Sequence, residues 1–158
     1  MDERIDAIWR GIAAKIDDLL ALARGLTQEQ LNAAPDVTGA NTPFVIVTHV
    51  LGNIRAWVPG IVCEQPLERD RPAEFRSHGT MDDLEAAAKI LVADCDVALG
   101  GLDHATLSDR IIPRQILFGE GETHQMTRFE ALLHPLEHAA LHAGQLQLTV
   151  DLLQAPRG

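Results

Sequence analysis

The sequence predicts an all-α protein, a four-helix bundle forming one domain over residues 1–158, with a possible short hairpin before the last helix. Three observations predict it. Apolar residues recur at helical spacing in four long stretches. Each stretch opens on an Asp, Asn or Thr suited to cap a helix. Aromatic residues make up only 4% of the chain and Tyr is absent, so the core must be Leu, Ile, Val and Ala, the usual filling of a bundle. At 158 residues the chain can bury a real core.

The first helix spans residues 3–24, with Ile5, Ile8, Trp9, Ile12, Ile16, Leu19 and Leu20 on one face, Asp2 as N-cap and Gly25 as stop. Thr27 and Gln30 form a capping box that opens one short turn. The second helix starts after Asn41 or Thr42 with Pro43 in the tolerated first turn, and should run to about residue 64. Pro59 should kink or shorten it. Residues 65–79, rich in Pro, Arg and Glu, read as an exposed loop. Thr80 and Asp83 cap a third helix over roughly 81–99, stopped by Gly100-Gly101. Residues 102–126 are the least helical part. Arg110–Pro113 and Gln115–Phe118 could be short strands, with Gly119 and Gly121 marking a turn. Thr127 and Glu130 then cap a last helix that reaches about Leu153, with a bend expected near His134 because Pro135 lacks an N–H.

Composition excludes several functions. The net charge is −10 and the 13 Lys and Arg residues are scattered, so no basic stripe exists for nucleic acid or for an anionic membrane surface. No secretory signal is read at Met1–Arg4, and no apolar run is expected to reach the roughly 18 residues of a membrane span. Two cysteines, Cys63 and Cys95, are too few for a disulfide framework. The expectation is a cytoplasmic protein that binds neither nucleic acid nor membrane.

Chemistry concentrates in the last helix. His138 and His142 are four residues apart, so their imidazoles lie one turn apart on one face. Gln145 and Thr149 continue the row. Pro135, Ala139, Leu146, Val150 and Leu153 flank it on one side, and Leu141, Leu148 and Leu152 on the other. A polar row inside an apolar face is expected to be buried and to need partners. In the second helix His49 and Asn53 repeat the pattern between Val45, Ile46, Ala56 and Trp57. Neutral imidazole is the commonest protein ligand for zinc and similar ions, and three histidines leave a coordination position open. His49, His138 and His142 are therefore the candidate ligands of a divalent metal: zinc, nickel or iron. Gln145 and Asn53 are candidates to orient those ligands. The alternative is a non-catalytic helical dimer or binding module, whose histidines are core residues or hold a structural ion. His134 is a weaker fourth candidate. His78, His104 and His124 fall in loops, Thr149 reads as a back-bonded helix residue, and Glu137 points outward. Cys63 has no basic sequence neighbour and reads as a structural thiol, and Trp9 and Trp57 as core.

Thr48-His49-Val50-Leu51-Gly52, followed far downstream by His138, His142, Gly144 and Gln145, resembles the DinB-like superfamily. The resemblance covers nearly the whole chain. It implies an up-down-down-up bundle, often dimeric, in which His49, His138 and His142 bind a divalent metal. It also implies activation of a thiol or water for transfer or hydrolysis, with a low-molecular-weight thiol or other small molecule as substrate. Leu141 and Ala143 stand where many members carry His and Arg, which weakens the case for an anionic co-substrate near Ala143.

Overall fold

In the computed structural model, which describes residues 2–118 and 121–156, the chain is mostly helical with one two-stranded sheet. Helix α1 (Glu3–Arg24) is capped by the Asp2 side chain and closed at Gly25. A four-residue α2 (Gln28–Leu31) carries the reciprocal Thr27–Gln30 capping box. Helix α3 (Pro43–Arg55) starts under a Thr42 side-chain cap with proline in its first turn.

Beyond Arg55 the helix does not stop at Pro59. It widens into a π-helical stretch, Ala56–Val62. Proline has no N–H to give to the preceding turn and its ring crowds the carbonyl four residues back, which is Arg55's. Widening to the longer i→i+5 register keeps the chain helical past that position. By length and composition Pro43–Val62 is apolar enough to cross a membrane, at mean hydropathy 1.4, which corrects the expectation that no stretch is. However, 83% of that window is buried inside the protein, as in a core helix.

Residues 65–79 are not simply an exposed loop. They contain α4 (Arg71–Glu74), capped by Asp70, and they bury Glu74. Helix α5 (Met81–Gly100) carries its Thr80–Asp83 capping box. A 3₁₀ turn (His104–Ser108) leads to β1 (Arg110–Ile111), which pairs antiparallel with β2 (Met126–Thr127), Arg110 opposite Thr127. The short hairpin is thus present, but Gln115–Phe118 is not one of its strands. That segment is a single helical turn, α6 (Gln115–Phe118), whose Leu117 is fully buried against Gly60 while Ile116 stays half exposed. One inward residue per turn satisfies this segment, where a strand would present two of its four residues to one face. Gly121 takes φ +83°, as a turn needs; Gly119 lies outside the described residues.

Helix α7 (Arg128–Gln154) starts from the Thr127–Glu130 capping box and runs through Pro135 as one helix. It packs on α1 and α3, and α5 packs on the same two helices, so four long helices enclose one core. The largest fully buried side chains include Trp57, Ile5, Ile12, Leu132 and Leu146. The polar row of α7 lies at the edge of its buried face and not in the middle. Pro135, Ala139, Leu146 and Val150 are buried, but Leu141 (71% exposed), Leu148 and Leu152 face outward. Only one flank of the row is buried.

Candidate metal centre

Helices α3 and α7 bring His49, His138 and His142 together. One ring nitrogen from each lies within 4.8 Å of the others. The ring centroids stand 5.0 Å apart for His49–His138, 5.1 Å for His49–His142 and 4.4 Å for His138–His142. His49 is buried, and its neighbours on α7 are half-buried.

Hydrogen bonds fix which nitrogens face inward. His49 Nδ1 donates to Glu74 Oε2 at 2.8 Å, because a carboxylate only accepts. His142 Nδ1 donates to Gln145 Oε1 at 2.6 Å. In both rings the Nε2 lone pair is left for another partner. His49 Nε2 and His138 Nε2 are 3.2 Å apart. Two imidazole nitrogens on one tetrahedral zinc, each about 2.0–2.1 Å from the ion, stand roughly 3.3 Å apart. The donor set and its spacing therefore fit a divalent ion of zinc's size.

Burial disfavours protonation of His138 and His142, and the neutral imidazole is the form that binds metals. Desolvation pushes His138 down to about 3, reinforced by repulsion from protonated His142, His49 and His134 and from Arg69. Burial also lowers His142, against the opposing effect of the hydrogen bond it donates to Gln145.

Glu74 and Arg69 are the residues that sequence reading missed. Glu74 is 9% exposed and holds His49. Arg69 grips the same carboxylate from the other side, Nε to Oε1 at 2.7 Å and Nη2 to Oε2 at 2.8 Å. Burial alone would raise the Glu74 carboxyl, but the bonds from His49 and Arg69 outweigh it and hold it below its ordinary value. Gly52 makes the approach possible. A Cβ there would press on Oε1 and stand 2.8 Å from Glu74 Cδ. Phe75 covers the outer side of His49 at 4.9 Å between ring centroids, and Arg71 stacks on Phe75. A carboxylate bonded to the outer nitrogen of a histidine is the usual second partner of a metal-binding imidazole. The only signal for it in the sequence was Gly52, three residues after His49 in an otherwise bulky helix.

The other candidates fall as follows. Gln145 is exposed and bonded to His142. Asn53 is buried with Oδ1 lacking a partner and has no hydrogen bond to the three histidines. His134 does not join the cluster; its ring stacks on Trp57 at 3.7 Å. His78, His104 and His124 are exposed. Thr149 Oγ1 back-bonds to the Gln145 carbonyl at 2.9 Å. Burial raises the Cys63 thiol to about 11, as an inert thiol requires.

A family model described as the DinB superfamily matches residues 12–146. Among curated proteins nothing matches the chain. A crystal structure of a conserved protein from Enterococcus faecalis is similar in fold, with a TM-score of 0.72 at 14% identity, covering 97% of this chain and 98% of that one.

Proposed function

This chain belongs to the DinB superfamily, and from that premise we propose that it is a metal-dependent enzyme whose divalent ion is held by His49, His138 and His142 through Nε2. The observation that carries the reading is the 3.2 Å approach of two Nε2 atoms, with the outer nitrogens of His49 and His142 already committed to Glu74 and Gln145. Zinc, nickel and iron all suit such imidazoles. Bound there, the ion would act as a Lewis acid that lowers the pKa of a thiol or a water at its open position. The protein's own residues hold the site. Glu74 keeps the proton of His49 on Nδ1, Gln145 does the same for His142, and Arg69 keeps Glu74 ionised. The proposed chemistry is transfer or hydrolysis on a small molecule, with a low-molecular-weight thiol as the alternative nucleophile to water. We extend the proposal to a cytoplasmic homodimer with the up-down-down-up helix path of the family.

A specific contact also supports the opposing reading. Without an ion, the 3.2 Å contact is a hydrogen bond from His138 Nε2–H to His49 Nε2, as in a core histidine cluster. Elemental mass spectrometry on untagged protein separates the two. About one ion per chain in the wild type, lost in His142→Ala, is the expected result. Equal metal content in both would leave the histidines as core residues.

A further inference from the structure

Along the seam where α3 and its π-helical extension meet α7, side chains pair in antiparallel order. His49 stands against His142, at 5.1 Å between ring centroids. Eight residues further along, Trp57 stacks on His134, eight residues before His142, at 3.7 Å. Asn53 lies midway between His49 and Trp57, and His138 lies midway between His134 and His142. Residues four apart share a helix face, so the middle rung of this ladder is Asn53 against His138.

The two ends of that rung carry atoms with unmet needs. Among the described residues four buried side-chain nitrogens and oxygens lack a hydrogen-bond partner, and three of them belong to the ladder: Asn53 Oδ1, His138 Nδ1 and Trp57 Nε1. Asn53 Oδ1 is the only oxygen of the four. These atoms are shut off from solvent, so bulk water cannot serve them, and a polar atom left so is costly. The other two members of the histidine cluster already have outer partners. His49 Nδ1 is bonded to Glu74 and His142 Nδ1 to Gln145. His138 is the exception, although its ring is the one nearest both others, at 5.0 and 4.4 Å.

The proton position explains the gap. Glu74 keeps the proton of His49 on Nδ1, so in the 3.2 Å contact between the two Nε2 atoms the hydrogen is His138's. A neutral imidazole with Nε2–H has a bare lone pair on Nδ1, and a lone pair cannot bond to the oxygen of Asn53. Once Nε2 serves as a metal ligand, the proton must sit on Nδ1, and donor then faces acceptor.

We propose that Asn53 is the positioning residue of His138. Its Oδ1 accepts the Nδ1–H that His138 carries when Nε2 holds an ion, and so completes the set of outer partners that Glu74 and Gln145 begin. The proposal rests on the metalloenzyme reading above.

The test titrates zinc, against a competing chelator, into wild type, Asn53→Leu, Asn53→Ala and Asn53→Asp. Leucine and alanine both remove the oxygen, one with similar bulk and one with less, whereas aspartate keeps an oxygen in place. Asn53→Leu and Asn53→Ala should each bind zinc about tenfold or more weakly, the loss expected when a ligand's outer partner is removed. Asn53→Asp should bind at least as tightly as wild type. In zinc-loaded protein labelled with ¹⁵N-histidine, the Nδ1–H resonance of His138 should lie downfield and exchange slowly. Asn53→Leu should move it upfield and leave that of His49 in place. Zinc affinity of Asn53→Leu within about threefold of wild type, aspartate as weak as leucine, or a His138 resonance that ignores the substitution would each overturn the inference and leave the metal reading standing. A wild type that binds no zinc would sink both.

Discussion

Gly52→Ala should weaken metal binding although alanine is the better helix former. Gly52 lies inside α3, where alanine is favoured over glycine by about 0.8–1.0 kcal/mol. If the new methyl met nothing, the variant would be more stable. It meets Glu74. The added Cβ would stand 2.8 Å from Glu74 Cδ, closer than real Cβ contacts allow, so the carboxyl group must move. That group is not a free side-chain end. It is pinned by Arg69 at 2.7 and 2.8 Å and by His49 at 2.8 Å, and both ion-pair partners are nearly buried. Moving it loosens the bond that orients His49. Loss of such an outer partner lowers metal affinity roughly 10–100-fold, or about 1.4–2.7 kcal/mol. A buried ion pair broken outright costs about 3–5 kcal/mol, well above the propensity gain, so stability should fall as well. Zinc affinity, measured by competition with a chelator, and the urea midpoint test both parts. Affinity within about threefold of wild type together with a raised midpoint would refute the reasoning, because Glu74 would then have moved without releasing His49.

Two further predictions concern stability. The metal-free protein should lose stability as pH falls below about 6.5, because burial holds His134, His138 and His142 below that ordinary value while the unfolded chain protonates normally. The sign follows from proton uptake. Between about pH 6 and His138's folded value of about 3, the unfolded state binds the extra proton, so His138 alone removes up to about 1.4 kcal/mol per pH unit. Glu74, held below its ordinary value, adds a further loss as the pH falls below about 4.5. Urea midpoints that stay flat from pH 7.5 to 5, on a scale where His138 predicts up to about 2 kcal/mol, would contradict this account. Leu146→Ala should cost about 2–5 kcal/mol by thermal or urea unfolding, since Leu146 is fully buried between the helices. Leu148→Ala, two residues on and 61% exposed, should stay within about 0.5 kcal/mol of wild type.

The long helices were legible because their signals are local. Asp2, Thr27, Thr80 and Thr127 cap the turns that follow them, and a cap needs only the next three residues to act. The polar row of α7 was misread for a related reason. Periodicity shows that Leu141, Leu148 and Leu152 share a flank, but not whether that flank is covered, and all three are exposed. Gln115–Phe118 shows the same limit at short range. Four apolar-rich residues suit a strand or a single turn, and the choice was made by Gly60, which lies more than fifty residues earlier and receives Leu117.

Glu74 marks where sequence reasoning about the site stops. In sequence it is one acid in a stretch of Pro, Arg and Glu that reads as solvent-exposed. Its burial depends on three residues acting together. Arg69 neutralises it from five positions upstream, Gly52 leaves room for its carboxyl, and His49 gives it a proton to accept. None of the three would justify burying a charge alone, since an unpaired ion inside a protein costs several kilocalories. Together they make a carboxylate that stays ionised while nearly out of water, and that is the condition for holding His49 in one tautomer. The triad supplies the nitrogens, but the strap over residues 69–75 determines which nitrogen of His49 faces the other two rings. A loop replaced by neutral residues of equal length would leave all three histidines in place and still lose that choice, and the chelator competition would read the loss directly.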